Sequence, residues 1–181
     1  MRALVLESGE IDIPGRSELF LMLAARAAFV DQVVRPALEA GHVVISDRFE
    51  LSTLAYQGSG RGVSIDEIRR ANRLATEGLS PDATILLRLA PDEGAHRQEL
   101  AAKRRDRMER EAAEFHERVA RGYEELASWV PEIIRVEAAG TIEEVRHEVR
   151  KVLLERFPET FAGTGFTSNR PGLRSPDTSD L

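Results

Sequence analysis

Asp47 and Arg48 stand side by side after a short β-branched run, His42 to Ser46, and they are the first residues of this chain whose types and spacing suit chemistry. In open α/β sheets ligands sit at the carboxyl ends of the strands, where this pair would fall. An acid there can hold Mg²⁺, directly or through water, and a neighbouring arginine can clamp a phosphate with two parallel hydrogen bonds. A surface ion pair or a loop cap would use the same two residues, so the pair alone leaves both readings open. A second concentration of charge, Lys103, Arg104, Arg105, Arg107 and Arg110, interrupts an otherwise acidic chain.

The elements that must position these residues follow from periodicity and punctuation. Glu7 to Arg16 holds two glycines and a proline and reads as a loop. Ser17 is placed to cap a helix whose apolar stripe is Leu19, Leu23, Ala27, Val30, Val34 and Leu38, with Gly41 as its stop. Pro36 inside that pattern predicts a kink in the last turn. Ser52 to Gln57 reads as a short helix or turn, and Gly58, Gly60 and Gly62 as a flexible loop. Ser64-Ile65-Asp66-Glu67 is a capping box opening a helix to about Thr76, closed by Gly78 and Pro81.

Further along, Ala83 to Leu89 is a nearly continuous apolar run, as in a strand buried in a parallel sheet. A charged region from Asp92 to Arg110 leads into a helix ending near Trp129. Ile133 to Val136 is another strand, and Thr141 caps a last helix running to about Glu155. Helices alternating with short strands imply a three-layer α/β domain, a parallel sheet flanked by helices. Three strands make a thin sheet with exposed edges. From Gly163 onward the chain is Gly, Ser, Thr, Pro and Asn and is expected to be disordered. The chain thus divides into a leader (1–16), a domain (17–158) and a tail (159–181).

Bulk properties narrow the class. The 181 residues are 42% hydrophobic and 31% charged, enough for one domain with a core of its own. A net charge of -6 argues against general nucleic-acid binding, whose affinity comes mostly from basic surface. The lack of cysteine removes disulfides and thiolate metal sites and fits a cytoplasmic enzyme. No apolar run approaches the ~20 residues of a membrane span. The start, Met1 to Glu7, reaches an acid after four apolar residues and has no small-residue cleavage site, so it does not read as a secretory signal.

The string Asp47-Arg48-Phe49-Glu50-Leu51-Ser52-Thr53-Leu54-Ala55-Tyr56-Gln57-Gly58, with glycines and Arg61 beyond it, resembles the substrate signature of bacterial thymidylate kinases. Leu23-Ala24-Ala25-Arg26 is similar to that family's arginine-bearing helix, and Val34 to Gly41 resembles it too, Pro36 included. Ala75 to Asp82 resembles the turn before the family's next strand. Asp106-Arg107-Met108-Glu109, with Phe115 and Tyr123, resembles the end of its mobile lid (about 97–110) and the helix after it. The resemblance covers about Leu19 to Leu154. It implies a P-loop-NTPase-like nucleoside monophosphate kinase fold and a cytoplasmic enzyme that phosphorylates thymidine monophosphate with ATP and Mg²⁺.

The resemblance also implies roles. Arg48 would hold the acceptor's phosphate, with Ser52 in the same site, and Asp47 would organise Mg²⁺ and water around the transferring group. Arg26 would contact the thymine, Gln57 would lie near the base, and Tyr56 would lie against the deoxyribose, leaving little space for a 2′-hydroxyl. The plainer alternatives are a core aromatic for Tyr56, a helix-surface cation for Arg26 and a turn residue for Gln57. Met22 stands where the family usually has a phenylalanine that stacks on the thymine, and a thioether can still pack on a base. The basic cluster would be the lid, with Arg107 the best match and Arg104 and Arg105 as alternates at ATP and the transferred phosphoryl. A solvated helix face, flanked by Glu99, Glu109 and Glu111, is the alternative. Ala139, in the loop Glu137 to Gly140, falls where the family contacts adenine. The apolar face of the first long helix would serve a homodimer.

The string G-x-x-x-x-G-K-[ST], whose amides and lysine cradle donor phosphates, does not occur in the 181 residues. The family's arginine-proline-glycine-glycine segment is missing as well. The expectation is a truncated, N-terminally incomplete copy of the enzyme. A catalytically inactive nucleotide- or partner-binding derivative, or a kinase preferring another base, is the alternative. Such a chain alone is expected to expose apolar strand edges and faces, to be marginally stable or aggregate, and to show no ATP-dependent turnover.

Overall fold

The computed structural model describes residues 13–100, 107–108, 111–130 and 132–161. The chain forms two compact units, one up to Arg135 and one from Val136 onward, the division falling inside a strand.

In the first unit, Gly15–Phe29 forms helix α1. It begins before the serine expected to cap it. Pro14 takes the N-cap position, because its fixed φ suits the approach to a helix, and Ser17 lies exposed in the first turn. The stripe is buried at Leu19, Leu23, Val30 and Val34, whereas Leu38 is 41% exposed. The expected kink at Pro36 takes another form. A π-helical stretch, Val30–Val34, precedes α2, Arg35–Glu39, and Pro36 sits in the first turn of α2. Wider hydrogen-bonded turns ahead of the proline accommodate its ring and its missing amide without ending the helix. Gly41, at φ 78°, supplies the left-handed stop.

Helix α3 is Glu50–Thr53, and a second π-helical stretch, Leu54–Gly60, follows it. Gly58 and Gly60, expected to lie in a flexible loop, are therefore part of the core, while Gly62 lies exposed beyond the stretch. A Cβ on Gly60 would lie 2.6 Å from the Phe115 ring and 3.0 Å from Val119, and one on Gly122 would run into Ser59. Bare backbone lets helix α6, Ala113–Trp129, lie directly along this stretch. Ser64 accepts a hydrogen bond from the Glu67 amide, as its sequence implies, and opens α4, Ile65–Ala75. The core gathers Leu19, Leu23, Leu54, Ile68, Phe115 and Leu126 from α1, the second π-helical stretch, α4 and α6.

Strands β1, Thr84–Arg88, and β2, Ile133–Glu137, pair in a two-stranded parallel sheet. The crossover between them carries α5, Pro91–Leu100, and α6, the long connection a parallel pair needs. Arg88 and Arg135, on adjacent strands, both reach Glu124 of α6, at 2.8 and 3.5 Å. Two sequence expectations change here. His42–Ser46 is not a strand, since no partner strand lies beside it among the described residues; Val43 is 56% exposed and Ile45 80%. The β1 run is not buried on both faces either, and Leu87 is 52% exposed, because among the described residues each strand has a single neighbour. Of the exposed apolar strand surface expected from sequence, the described strands show Leu87.

In the second unit, Thr141 and Glu144 form a reciprocal capping box that opens α7, Ile142–Arg156, followed by α8, Pro158–Phe161. Most of the leader (1–12) and the tail from 162 onward lie outside the described residues. No helix among the described residues is long and apolar enough to cross a membrane.

The glycine packing makes a prediction. Gly60→Ala should lower stability by about 1–3 kcal/mol through overpacking against Phe115 and Val119. Gly94→Ala in α5, whose added Cβ would meet nothing nearer than Leu89 at 3.7 Å, should be neutral or stabilising. Urea denaturation of both variants checks this, and equal stabilities would refute it.

Candidate active site

The turn at Asp47-Arg48 is where the backbone is forced. Arg48 has φ 66°, a left-handed conformation that costs energy for a residue with a Cβ, and such residues concentrate at functional sites. The Ser46 hydroxyl donates to the Arg48 carbonyl at 2.9 Å and braces the turn. This places the Arg48 guanidinium over the Tyr56 ring, 5.1 Å from its centroid. Tyr56 meets Phe115 and Tyr123 edge to face at 6.0 and 6.3 Å. The Tyr123 hydroxyl donates to Ser52 Oγ at 2.8 Å. Arg48 thus rests on an aromatic platform built by α6 and the second π-helical stretch. Burial acts to lower its pKa, but Tyr56, Tyr123 and Asp47 outweigh it and hold the group above the ordinary arginine value. Burial pushes the Tyr123 phenol up. Asp47 is exposed beside the turn.

Arg26 projects from α1 into a second polar pocket. Its Nη1 donates to Asn72 Oδ1 at 2.6 Å, and its Nη2 to the Phe49 carbonyl at 3.0 Å and Thr53 Oγ1 at 2.7 Å. The Phe49 ring lies 5.2 Å beneath it. Burial lowers its pKa, and Glu50 opposes that. Glu50, half-buried, is pushed above the usual carboxylate range by burial, against the pull of Arg26, Arg69 and Asn72. Met22 is half-buried and lies one turn before Arg26 on the same helix face.

A third cluster surrounds Glu18, which is completely buried in the first turn of α1. Its carboxylate accepts from Gln57 Nε2 at 2.7 Å, from Arg61 at 3.4 Å and from Arg107. Arg61 also pairs with Glu111 and lies 4.5 Å over the Phe115 ring. Gln57 is therefore turned into the core. Arg107 is mostly buried against Glu18. Arg104 and Arg105 lie outside the described residues. Ala139 belongs to the second unit, in the loop between β2 and α7.

Sequence reasoning passed over Glu18, Glu50, Thr53 and Asn72. One signal was readable. Asn72 occupies the position four after Ile68 where the 3.6-residue period of α4 calls for an apolar side chain, and a polar residue there needs buried partners. Glu18 carried a fainter one, an acid directly against the apolar stripe. Arg48 lies in the turn before α3 and Arg26 is hydrogen-bonded to Thr53 at its end, so two guanidiniums flank this short helix.

Removing the Glu18 carboxylate should be costly. Glu18→Ala removes the buried carboxylate that Arg61, Arg107 and Gln57 share and should destabilise by about 3–5 kcal/mol. Glu111 is held below the usual range chiefly by the Arg61 hydrogen bond. A depressed carboxylate contributes stability above its unfolded pKa that is lost as pH falls through the folded value. The stability difference between wild type and Glu111→Gln should accordingly shrink as pH drops below 4.5, the unperturbed value. Urea titrations at neutral and acid pH measure both effects, and a pH-independent difference would contradict the second.

A family model described as thymidylate kinase matches residues 1–149, so the similarity extends upstream of Leu19. Proteins named thymidylate kinase are similar over most of the chain. The one from Synechococcus sp. (strain JA-2-3B'a(2-13)) is 47% identical over 148 residues, covering 81% of this chain and 70% of that protein. The one from Desulforudis audaxviator is 49% identical over 131 residues, 72% of this chain and 58% of that protein. That from Lactobacillus helveticus is 37% identical over 163 residues, 89% and 77% respectively. The family has the P-loop NTPase fold, in agreement with the three-layer α/β class expected from sequence, and uses ATP as phosphoryl donor. By a match that runs through α1, the Asp47-Arg48 turn and α6, this chain belongs to the thymidylate kinase family of phosphotransferases.

Proposed function

We propose that the corner formed by Arg26, Arg48, Ser52, Thr53 and Tyr56 binds thymidine monophosphate, and that the reaction served is its ATP-dependent phosphorylation to the diphosphate. One observation carries this reading. Arg48 is held in a strained turn, on an aromatic platform, beside Asp47, with Arg26 anchored to the same short helix. Arg48 grips the acceptor phosphate, as a planar guanidinium does well. Arg26 offers donors to a carbonyl on the base, and Tyr56 closes the space beside the sugar. Met22, on Arg26's face of α1, supplies apolar contact to the base. Gln57 acts indirectly, by fixing the second π-helical stretch to Glu18.

Asp47 suits Mg²⁺. The described residues hold no group of three metal-ligating side chains, but Mg²⁺ keeps several waters and takes one or two carboxylates together with nucleotide phosphates. When bound, that ion would neutralise charge on the transferring phosphoryl. Arg107, with Arg104 and Arg105, belongs to the lid in this reading, and Ala139 to the adenine side. A cytoplasmic homodimer joined through the apolar face of α1, where Phe20 is exposed, with no nucleic-acid partner, completes it.

Acceptor binding is the direct test, because it needs no donor site. Calorimetric titration should show thymidine monophosphate binding more tightly than the uridine, cytidine and guanosine monophosphates. Arg48→Ala should weaken the monophosphate about 10- to 100-fold while leaving thymidine itself unaffected. Indifference to the base, or equal loss for nucleoside and nucleotide, would overturn the reading.

A further inference from the structure

We infer that Asn72 and Glu50 form a positioning relay that sets the base preference of the proposed acceptor site by fixing the orientation of the Arg26 guanidinium. The inference rests on that site reading and adds two residues to it, neither of which need touch the nucleotide.

The geometry is a chain of obligatory directions. Glu50 Oε2 accepts from Asn72 Nδ2 at 2.6 Å, and Asn72 Oδ1 accepts from Arg26 Nη1 at 2.6 Å. An ionised carboxylate only accepts and a guanidinium only donates, so a single orientation of the Asn72 amide satisfies both neighbours. Turning the amide over would set two acceptors together on one side and two donors on the other. Asn72 is buried, so water cannot take over either bond. Glu50 on α3 therefore fixes the amide on α4, and the amide fixes the arginine on α1.

The Phe49 carbonyl and Thr53 Oγ1 hold the other terminal nitrogen, and the Phe49 ring underlies the plane. Of five guanidinium hydrogens, three are thus spoken for among the described residues, and the remaining two are aimed by those three. Because every Arg26 hydrogen is a donor, a base presenting a carbonyl to it is accepted. A base presenting an amino group meets donor with donor and leaves buried polar groups unpaired. Discrimination of this kind requires an arginine that cannot swing aside.

The test is calorimetric titration of thymidine and deoxycytidine monophosphates into the full chain, as wild type, Asn72→Leu, Glu50→Leu and Glu50→Gln. The ratio of the two affinities should fall about tenfold in Asn72→Leu and in Glu50→Leu, which break the relay at different points. It should persist in Glu50→Gln, whose carbonyl can still accept from Asn72. Circular dichroism identifies folded variants, and either leucine variant that folds decides. An unmoved ratio in either leucine variant, including an equal loss for both nucleotides, overturns the relay, as does a lost ratio in Glu50→Gln. A wild-type chain that binds the two nucleotides equally overturns the acceptor-site reading and the relay with it, whereas discrimination that survives both leucine variants overturns the relay alone.

Discussion

The Glu18 carboxylate, shut away from water at the start of α1, is the constraint around which the first unit is assembled. An isolated carboxylate in that position would cost several kcal/mol, so the fold holds only if its donors are brought to it. They come from Gln57, Arg61 and Arg107, which lie 39, 43 and 89 residues further along the chain. Satisfying one charge thus fixes α1 against the second π-helical stretch and against the residues that lead into α6. Arg61 extends the tie by stacking on Phe115 and pairing with Glu111. Phe115 in turn packs on Gly60 and meets Tyr56 at its edge. The platform beneath Arg48 is a consequence of this arrangement.

That dependence explains how the Asp47-Arg48 turn can carry strain. A left-handed residue with a side chain costs on the order of 1–3 kcal/mol and persists only where its surroundings over-determine it. Here the Ser46 hydroxyl holds the carbonyl, and the Tyr56 ring holds the guanidinium through a cation–π contact worth about 0.5–2 kcal/mol. Relaxing the turn would forfeit both and would swing Arg48 off its platform.

How much of this could be read from sequence depended on whether the determining contacts were local. The Asp47-Arg48 pair, Arg26 on its helix, and the Ser64 and Thr141 caps rest on neighbours within a few residues, and each was legible. His42–Ser46 has the composition of a strand, yet a strand exists only beside a partner, and none of the described residues supplies one. A π-helical stretch was not legible, since five to seven residues are too few to separate its period from that of an α-helix. The glycines at 58 and 60 looked like flexibility, because the same residue serves a loose loop and a close approach, and only α6 lying against them decides between the two. Glu18 left only a faint signal, an acid against the apolar stripe, because its partners are scattered over most of the chain.

The distribution of acids behind the arginines completes the physical picture. Arg107 and Arg61 are compensated by Glu18 and Glu111, and Arg26 lies within reach of the Glu50 charge. Arg61 and Arg107 have their charge answered inside the protein, whereas at Arg26 burial outweighs Glu50 and the hydrogen bonds fix its direction. Arg48 differs. Among the described residues it forms no salt bridge, and Tyr56, Tyr123 and the neighbouring Asp47 together stabilise its charge. In the proposed site a phosphate would gain from the Arg48 charge, whereas an uncharged base would gain from donors that are well aimed. The two arginines of that proposed site are therefore set differently: Arg48 rests on aromatic rings, and Arg26 is held by an amide, a carbonyl and a hydroxyl.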